Sequence, residues 1–189
     1  MVGKIIIFSG YAGTGKNTII NALQDRDKEL VYIPSVTTRK KRKGEREGHP
    51  YYYVTEEFFN KKVKEGKFIE YENIHGSYYG TLKDKYLKEL KKGKIIIKDI
   101  DVKGALNFKK EFGDKVVTIF VKPLEDEEVI KRMYERGDTE KDIEKRKERI
   151  SFEKGFINKF DYVLINDILR DTIKEGEELV DSIKKNRRT

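Results

Sequence analysis

Gly10-Tyr11-Ala12-Gly13-Thr14-Gly15-Lys16-Asn17-Thr18 carries the spacing G-x-x-x-x-G-K between a short apolar run and a helical stretch. That spacing is the core of a phosphate-binding P-loop. Glycines let the backbone curl until its N–H groups converge on phosphate oxygens, at the positive end of the following helix. Lys16 adds a mobile charge for the β and γ phosphates of a nucleoside triphosphate. Gly10 through Thr18 are therefore the expected triphosphate contacts. Asn17 stands where Ser or Thr usually helps to hold Mg²⁺. Its amide oxygen is a hard ligand that can coordinate directly or through water, and Thr18 beside it can contact phosphate.

Arginine marks a second set of positions. Lysine outnumbers arginine 31 to 11, so lysine reads as the general solvating charge. Arginine, whose planar fork holds phosphate or carboxylate through two parallel hydrogen bonds, marks places where geometry matters. Seven of the eleven arginines fall in two clusters: Arg39, Arg42 and Arg46, then Arg132, Arg136, Arg146 and Arg149. Two carboxylates, Asp99 and Asp101, follow the apolar run Ile95–Ile97. A spacing of two places both on one face of a strand, at the edge where open α/β sheets bind ligands. Asp99 is the better candidate for a water-mediated Mg²⁺ contact.

The elements that must position these residues alternate. Ile5–Ser9, Val31–Ile33, Ile95–Ile97, Val116–Val121 and Tyr162–Ile165 read as five short buried strands. Helical periodicity occupies Asn17–Leu23, Leu82–Lys92, Val102–Phe112, Glu125–Glu135, Thr139–Phe156 and Ile168–Lys184. Such alternation predicts an α/β fold, a five-stranded parallel sheet with helices on both faces. Residues 37–81 break the rhythm. Thr37–Pro50 is a polar, basic loop, and Tyr51–Val54, Phe68–Ile74 and Tyr78–Thr81 look like short antiparallel strands, with His75-Gly76-Ser77 as a turn. Thr55–Glu65 reads as a helix capped by Thr55. The expected organisation is a P-loop core over 1–34, 83–125 and 157–189, a small α+β insertion over 35–82 and a helical lid over 126–156.

Composition bounds the rest. At 189 residues the chain is one domain with insertions. Charged residues make up 40% of it and the formal charge is +8. Ile, Val, Leu and Phe still make up about 28% of the chain, above the roughly 20% below which a highly charged chain stays unfolded. Cysteine is absent and only two histidines occur, His49 and His75, which excludes disulfides, thiolate metal sites and a multi-histidine centre. Neither a signal peptide nor a membrane span is legible, so a cytoplasmic protein is expected. The basic charge by itself fits nucleic acid, an anionic membrane or small anions.

The insertion sharpens that choice. Ser35-Val36-Thr37-Thr38-Arg39-Lys40-Lys41-Arg42-Lys43-Gly44-Glu45, Gly48-His49-Pro50-Tyr51, Phe68-Ile69-Glu70-Tyr71, Tyr78-Tyr79-Gly80-Thr81, Asp99-Ile100-Asp101-Val102-Lys103-Gly104, Arg136-Gly137 with Arg146, and Asn166-Asp167 occur in that order. Together with the P-loop they resemble the guanylate kinase family over residues 4 to about 184. The resemblance implies a GMP site at Ser35, Arg39, Arg42, Tyr51, Glu70, Tyr79, Thr81 and Asp101, an ATP contact at Asn166, and lid arginines Arg136 and Arg146. Arg132 and Arg149 are left as structural or solvent-facing, and Tyr52, Tyr53 and Tyr78 as ordinary strand aromatics. The chemistry is consistent with this. Guanine presents two adjacent donors, N1–H and the 2-amino group, which one carboxylate can accept together, so Glu70 is the expected base reader.

The resemblance implies transfer of the ATP γ-phosphoryl group to GMP, and to dGMP, with Mg²⁺ as cofactor. Lys16, Arg39, Arg136 and Arg146 are the expected catalytic groups. The acceptor phosphate has a second pKa of about 6 and needs no strong base. A monomer or homodimer that binds neither nucleic acid nor membrane is expected. Two alternatives stay open at this level: a related P-loop kinase acting on a phosphorylated sugar, and a non-catalytic guanylate-kinase-like module that binds protein.

Overall fold

A computed structural model describes residues 2–48, 51–74 and 76–186, apart from the side chain of Arg136. Strand β1 (Lys4–Gly10) is apolar at every position from Ile5 to Phe8, and successive side chains point to opposite faces. Only burial on both faces satisfies such a strand. It is paired in parallel between β7 (Ile95–Asp99) and β8 (Val116–Lys122). β2 (Leu30–Tyr32) and β9 (Tyr162–Ile165) complete a five-stranded sheet in the order β2-β7-β1-β8-β9. Ile6 and Phe8 pack with α1 (Lys16–Arg26) and α7 (Leu169–Asn186) through Ile19, Leu23, Val180 and Ile183. Ile5 and Ile7 pack on the other face with α3 (Lys83–Lys91) and α4 (Val102–Phe112) through Tyr86, Leu90, Ala105 and Phe108. The expected parallel sheet with helices on both faces is what the chain builds.

A second, four-stranded sheet has the order β4-β3-β6-β5, with β3 at Ser35–Thr37, β4 at Tyr51–Tyr53, β5 at Phe68–Ile74 and β6 at Ser77–Leu82. It differs from the expectation in two ways. Ser35–Thr37 is a strand, and β4 runs parallel to it, not antiparallel. The long basic loop accounts for the second difference, because it carries the chain back to the starting end as a parallel crossover must. Helix α2 (Glu56–Lys64) is capped by Thr55, whose side chain accepts from Phe58 N at 3.1 Å. Its fully buried Phe59 stacks on Phe68 and Tyr78 at 4.4 and 5.2 Å, which is the core of this sheet. His49, Pro50 and His75 of the expected motifs lie outside the described residues.

Helices α5 (Glu127–Arg136) and α6 (Glu140–Lys154) form a third unit. Gly137 ends α5 at φ 84°, and Thr139 caps α6 by accepting from Asp142 N. Val129 and Ile150 dock this pair against Tyr11, Val102 and Phe120 of the main body.

Candidate functional site

The phosphate loop leaves β1 at the middle strand of the main sheet. Gly10 has φ 124°, and a Cβ there would stand 2.0 Å from the Val121 carbonyl oxygen, so the chain turns only if that residue is glycine. Gly15, at φ 81°, is the N-cap of α1. Thr14 Oγ1 donates to the Tyr11 carbonyl at 2.8 Å, and Asn166 Nδ2 donates to the Thr14 carbonyl at 2.8 Å. Asn166, just past β9, thus clamps the loop from the far side of the sheet. Its Oδ1 is buried with no hydrogen-bond partner among the described residues.

Lys16 Nζ folds back over the loop and donates to the carbonyls of Gly10 and Tyr11 at 2.8 and 2.5 Å. Burial pushes its pKa down, with Arg146 acting in the same direction and Glu153 and Asp99 opposing it. Asn17 and Thr18 are exposed on the first turn of α1. The Tyr11 ring is not part of the exposed loop. It is fully buried, edge-on to Phe120 at 5.4 Å, and ties the loop to α5 and α6. Tyr11 reaches the phosphate-loop network through its carbonyl.

A cavity of about 350 Å³ opens beside the ends of β7, β5 and β6, lined by Ser35, Tyr51, Glu70, Tyr79, Lys98, Asp99 and Asp101 among others. Five of the eight residues expected to bind the acceptor, with Asp99, therefore share one wall. Thr81 stands opposite Glu70 in the β5–β6 pair. Ser35 Oγ and Thr81 Oγ1 lie 3.3 Å apart. Burial raises the Glu70 pKa, while Thr81 and Lys98 act against that rise.

Asp101 corrects the strand-face argument. β7 ends at Asp99, and Asp101 is the N-cap of α4, accepting from Lys103 N and Gly104 N at 2.8 and 2.9 Å. The two carboxylates share the cavity because the chain turns into a helix between them. Asp99 also accepts from Tyr32 Oη at 3.2 Å and, with Asn17, lines an adjoining cavity of about 550 Å³.

Arg39 is held in a cage. Its two terminal nitrogens donate to Glu45 at 2.8 and 3.1 Å, and its guanidinium lies 5.8 and 5.7 Å from the Tyr51 and Tyr53 ring centres. Glu45 also accepts from Arg42 N at 2.7 Å and Tyr53 Oη at 2.8 Å. The Arg39 hydrogen bonds, first among these contacts, hold the Glu45 pKa down at about 2. Arg42 enters this network by its backbone, and its side chain is exposed. Tyr53 is thus more than a strand aromatic.

On the α5–α6 pair, Arg146 and Arg132 line a cavity of about 300 Å³ with Ala12 and Gly13 of the phosphate loop. Arg132, expected to be structural or solvent-facing, is 55% exposed and donates to Glu128 one turn back at 3.1 Å, although it also lines this wall. Arg136 ends α5, and its side chain lies outside the described residues. Glu153 of α6 is 5% exposed, accepts from Arg149 Nε at 2.7 Å, and sends its field to Lys16. A further cavity of about 700 Å³ between α5 and α6 is lined by Ile130, Tyr134 and Ile150 and contains no phosphate-loop residue.

Lys98, Glu45, Arg132 and Glu153 were not singled out as site residues from sequence. Lys98 had a signal, since an ionisable residue inside the buried run Ile95–Asp99 demands a partner.

A family model described as guanylate kinase matches residues 2–183. The chain belongs to the guanylate kinase family. Curated guanylate kinases from Chlorobium chlorochromatii and Thermotoga maritima are 40% and 36% identical to it. The alignments cover 94% of both chains in the first case, and 96% of this chain and 88% of the other in the second. The crystal structure of guanylate kinase from Anaplasma phagocytophilum superposes with a TM-score of 0.72 at 28% identity, covering 96% of this chain and 86% of that one.

Proposed function

We propose that this protein transfers the γ-phosphoryl group of ATP to GMP, and to dGMP, giving ADP and GDP or dGDP. The observation that carries the assignment is the Glu70 carboxylate in a cavity that shares Asp99 with the space in front of α1. Guanine's two adjacent donors fit one carboxylate, and a buried carboxylate left unpaired rejects other bases. The backbone of Gly10–Thr18 and Lys16 hold the ATP phosphates, with Asn166 at the nucleotide's outer side. Ser35, Tyr51, Tyr79, Thr81 and Asp101 surround the acceptor, and Arg39 and Arg42 hold its phosphate once Arg39 exchanges Glu45 for it. An acceptor phosphate oxygen attacks the γ-phosphorus, the bond to the β–γ bridging oxygen breaks, and Arg136 and Arg146 meet the charge on the moving group. The working division is the core over 1–34, 83–125 and 157–189, the acceptor insertion over 35–82 and the lid over 126–156.

Mg²⁺ fits the donors present. No group of three or more His, Cys, Asp or Glu residues among the described residues forms a metal cage. Asn17 and Asp99, hard oxygen donors lining one cavity, instead suit an ion that keeps waters and phosphate oxygens as most of its shell. When bound, the ion neutralises phosphate charge. No helix among the described residues is long and apolar enough to cross a membrane. A cytoplasmic monomer or homodimer that does not bind nucleic acid is the reading we adopt. ADP release from ATP and Mg²⁺ with GMP, dGMP, AMP, UMP or ribose phosphates tests the assignment. Guanine-dependent turnover is expected, and its absence with GMP still bound would replace the enzyme by a binding module.

A further inference from the structure

Lys98 plays no part in the transfer just described, yet it is a charged residue buried beside the site. It sits in β7 after Ile95, Ile96 and Ile97 and is only 3% exposed. Nζ donates to Ser35 Oγ at 2.9 Å and lies 5.7 Å from the Tyr32 ring centre. Ser35 Oγ lies 3.3 Å from Thr81 Oγ1, and Thr81 stands opposite Glu70 in the β5–β6 register. An ammonium can only donate. Ser35 must therefore accept from Lys98, which leaves its own proton for Thr81 and the Thr81 proton for Glu70. The hydroxyls are thereby given one direction, from the sheet interior to the cavity.

The charges around the cavity call for such a device. Glu70 and Glu72 of β5, Asp99 of β7 and the Asp101 cap of α4 line one wall, with Tyr51 and Tyr79 beside them. Tyr32 donates to Asp99, and the buried Tyr86 of α3 lies behind Glu70 and Asp99. Among the described residues lining that cavity, Lys98 is the one cation. An ionised carboxylate is acceptor-only, whereas a neutral carboxyl both donates and accepts. The first matches the two donors on guanine, and the second matches the donor and acceptor side by side on adenine.

Resting on the assignment of the cavity to GMP, we propose that Lys98 is a positioning residue for base selection. Through Ser35 and Thr81 it presents Glu70 to the acceptor as an acceptor-only carboxylate. Steady-state kinetics of Lys98→Met and Lys98→Arg with GMP, IMP and AMP at saturating ATP test this, IMP being the acceptor without the 2-amino donor. Lys98→Met is expected to raise the KM for GMP about tenfold or more. Its kcat and its KM for ATP should stay within about twofold, and its preference for GMP over AMP should fall about tenfold. Lys98→Arg, which keeps the charge and the donor, should restore most of the preference. If Lys98→Met fails to fold, Lys98→Gln, which keeps a donor without the charge, is read in its place for the same loss. Unchanged GMP kinetics and base preference in a folded variant would overturn the inference, as would a loss shared equally by ATP and every acceptor. A wild-type protein that does not use GMP would instead overturn the assignment of the cavity.

Discussion

Arg39 and Glu45 show how a charged residue is stored ready for use. The pair is 15% and 19% exposed, and Glu45 gathers four donors at once. Its depressed pKa means that this contribution is full above the ordinary glutamate value of 4.5 and is lost as pH falls through about 2. A carboxyl carbon titration by NMR should therefore place the Glu45 midpoint near 2, and Arg39→Gln should move it up towards 4.5. A wild-type midpoint near 4.5 would mean the cage is not kept in solution. At this scale the sequence was informative about residues with a local motif and poor about those whose partner is distant. Lys16 and Gly10 follow from spacing alone. Lys98 is 63 residues from Ser35, and nothing near it in sequence names the hydroxyl that accepts from it. Glu45 closes the basic segment Ser35–Glu45, but its role depends on Arg39 turning back through six positions.

The α5–α6 pair is held to the body by few apolar residues. Ile150, 6% exposed, packs with Tyr11, Val129 and Phe120 in a cluster separate from the two that flank the main sheet. Truncating Ile150 to Ala should cost about 2–4 kcal/mol. Hydrogen exchange should rise throughout α5 and α6 and hardly change in β1 and β7, because local opening follows local packing. A uniform rise across all elements would show that the α5–α6 pair is not an independent unit. The long helices were legible because each repeats an apolar face over several turns. β3 was not, since three residues with polar neighbours carry no period. The orientation of β4 was hidden as well, because strand direction is set by how the intervening loop travels, and alternation reads the same either way.

Across the whole molecule, the formal charge of +8 is carried by a chain whose ligands are polyanions. Field and ligand attract at a distance, and salt shortens that distance from about 10 Å at 0.1 M to about 3 Å at 1 M. Raising NaCl from about 50 to about 500 mM should therefore lower kcat/KM for both nucleotides several-fold, mostly through KM, with kcat less affected. A salt-insensitive kcat/KM would assign the basicity to solubility alone. The acidic cavity wall of Glu70, Glu72, Asp99 and Asp101 is an exception inside this positive field. On the proposed assignment, it leaves attraction to the phosphate end of the acceptor and discrimination to the base end.

The two carbonyls that hold Lys16 have a thermodynamic meaning. On the proposed reading, ATP does not meet a bare ammonium but displaces bonds of 2.8 and 2.5 Å that the loop already makes to itself. Binding at Lys16 is thus a swap of partners, and its free energy is the difference between phosphate and carbonyl as hosts. Moving charge onto the transferred group adds to the phosphate side of that swap and not to the carbonyl side. Lys16→Ala should accordingly cost far more in turnover than in ATP affinity, a ratio that equilibrium titration beside single-turnover rates can measure.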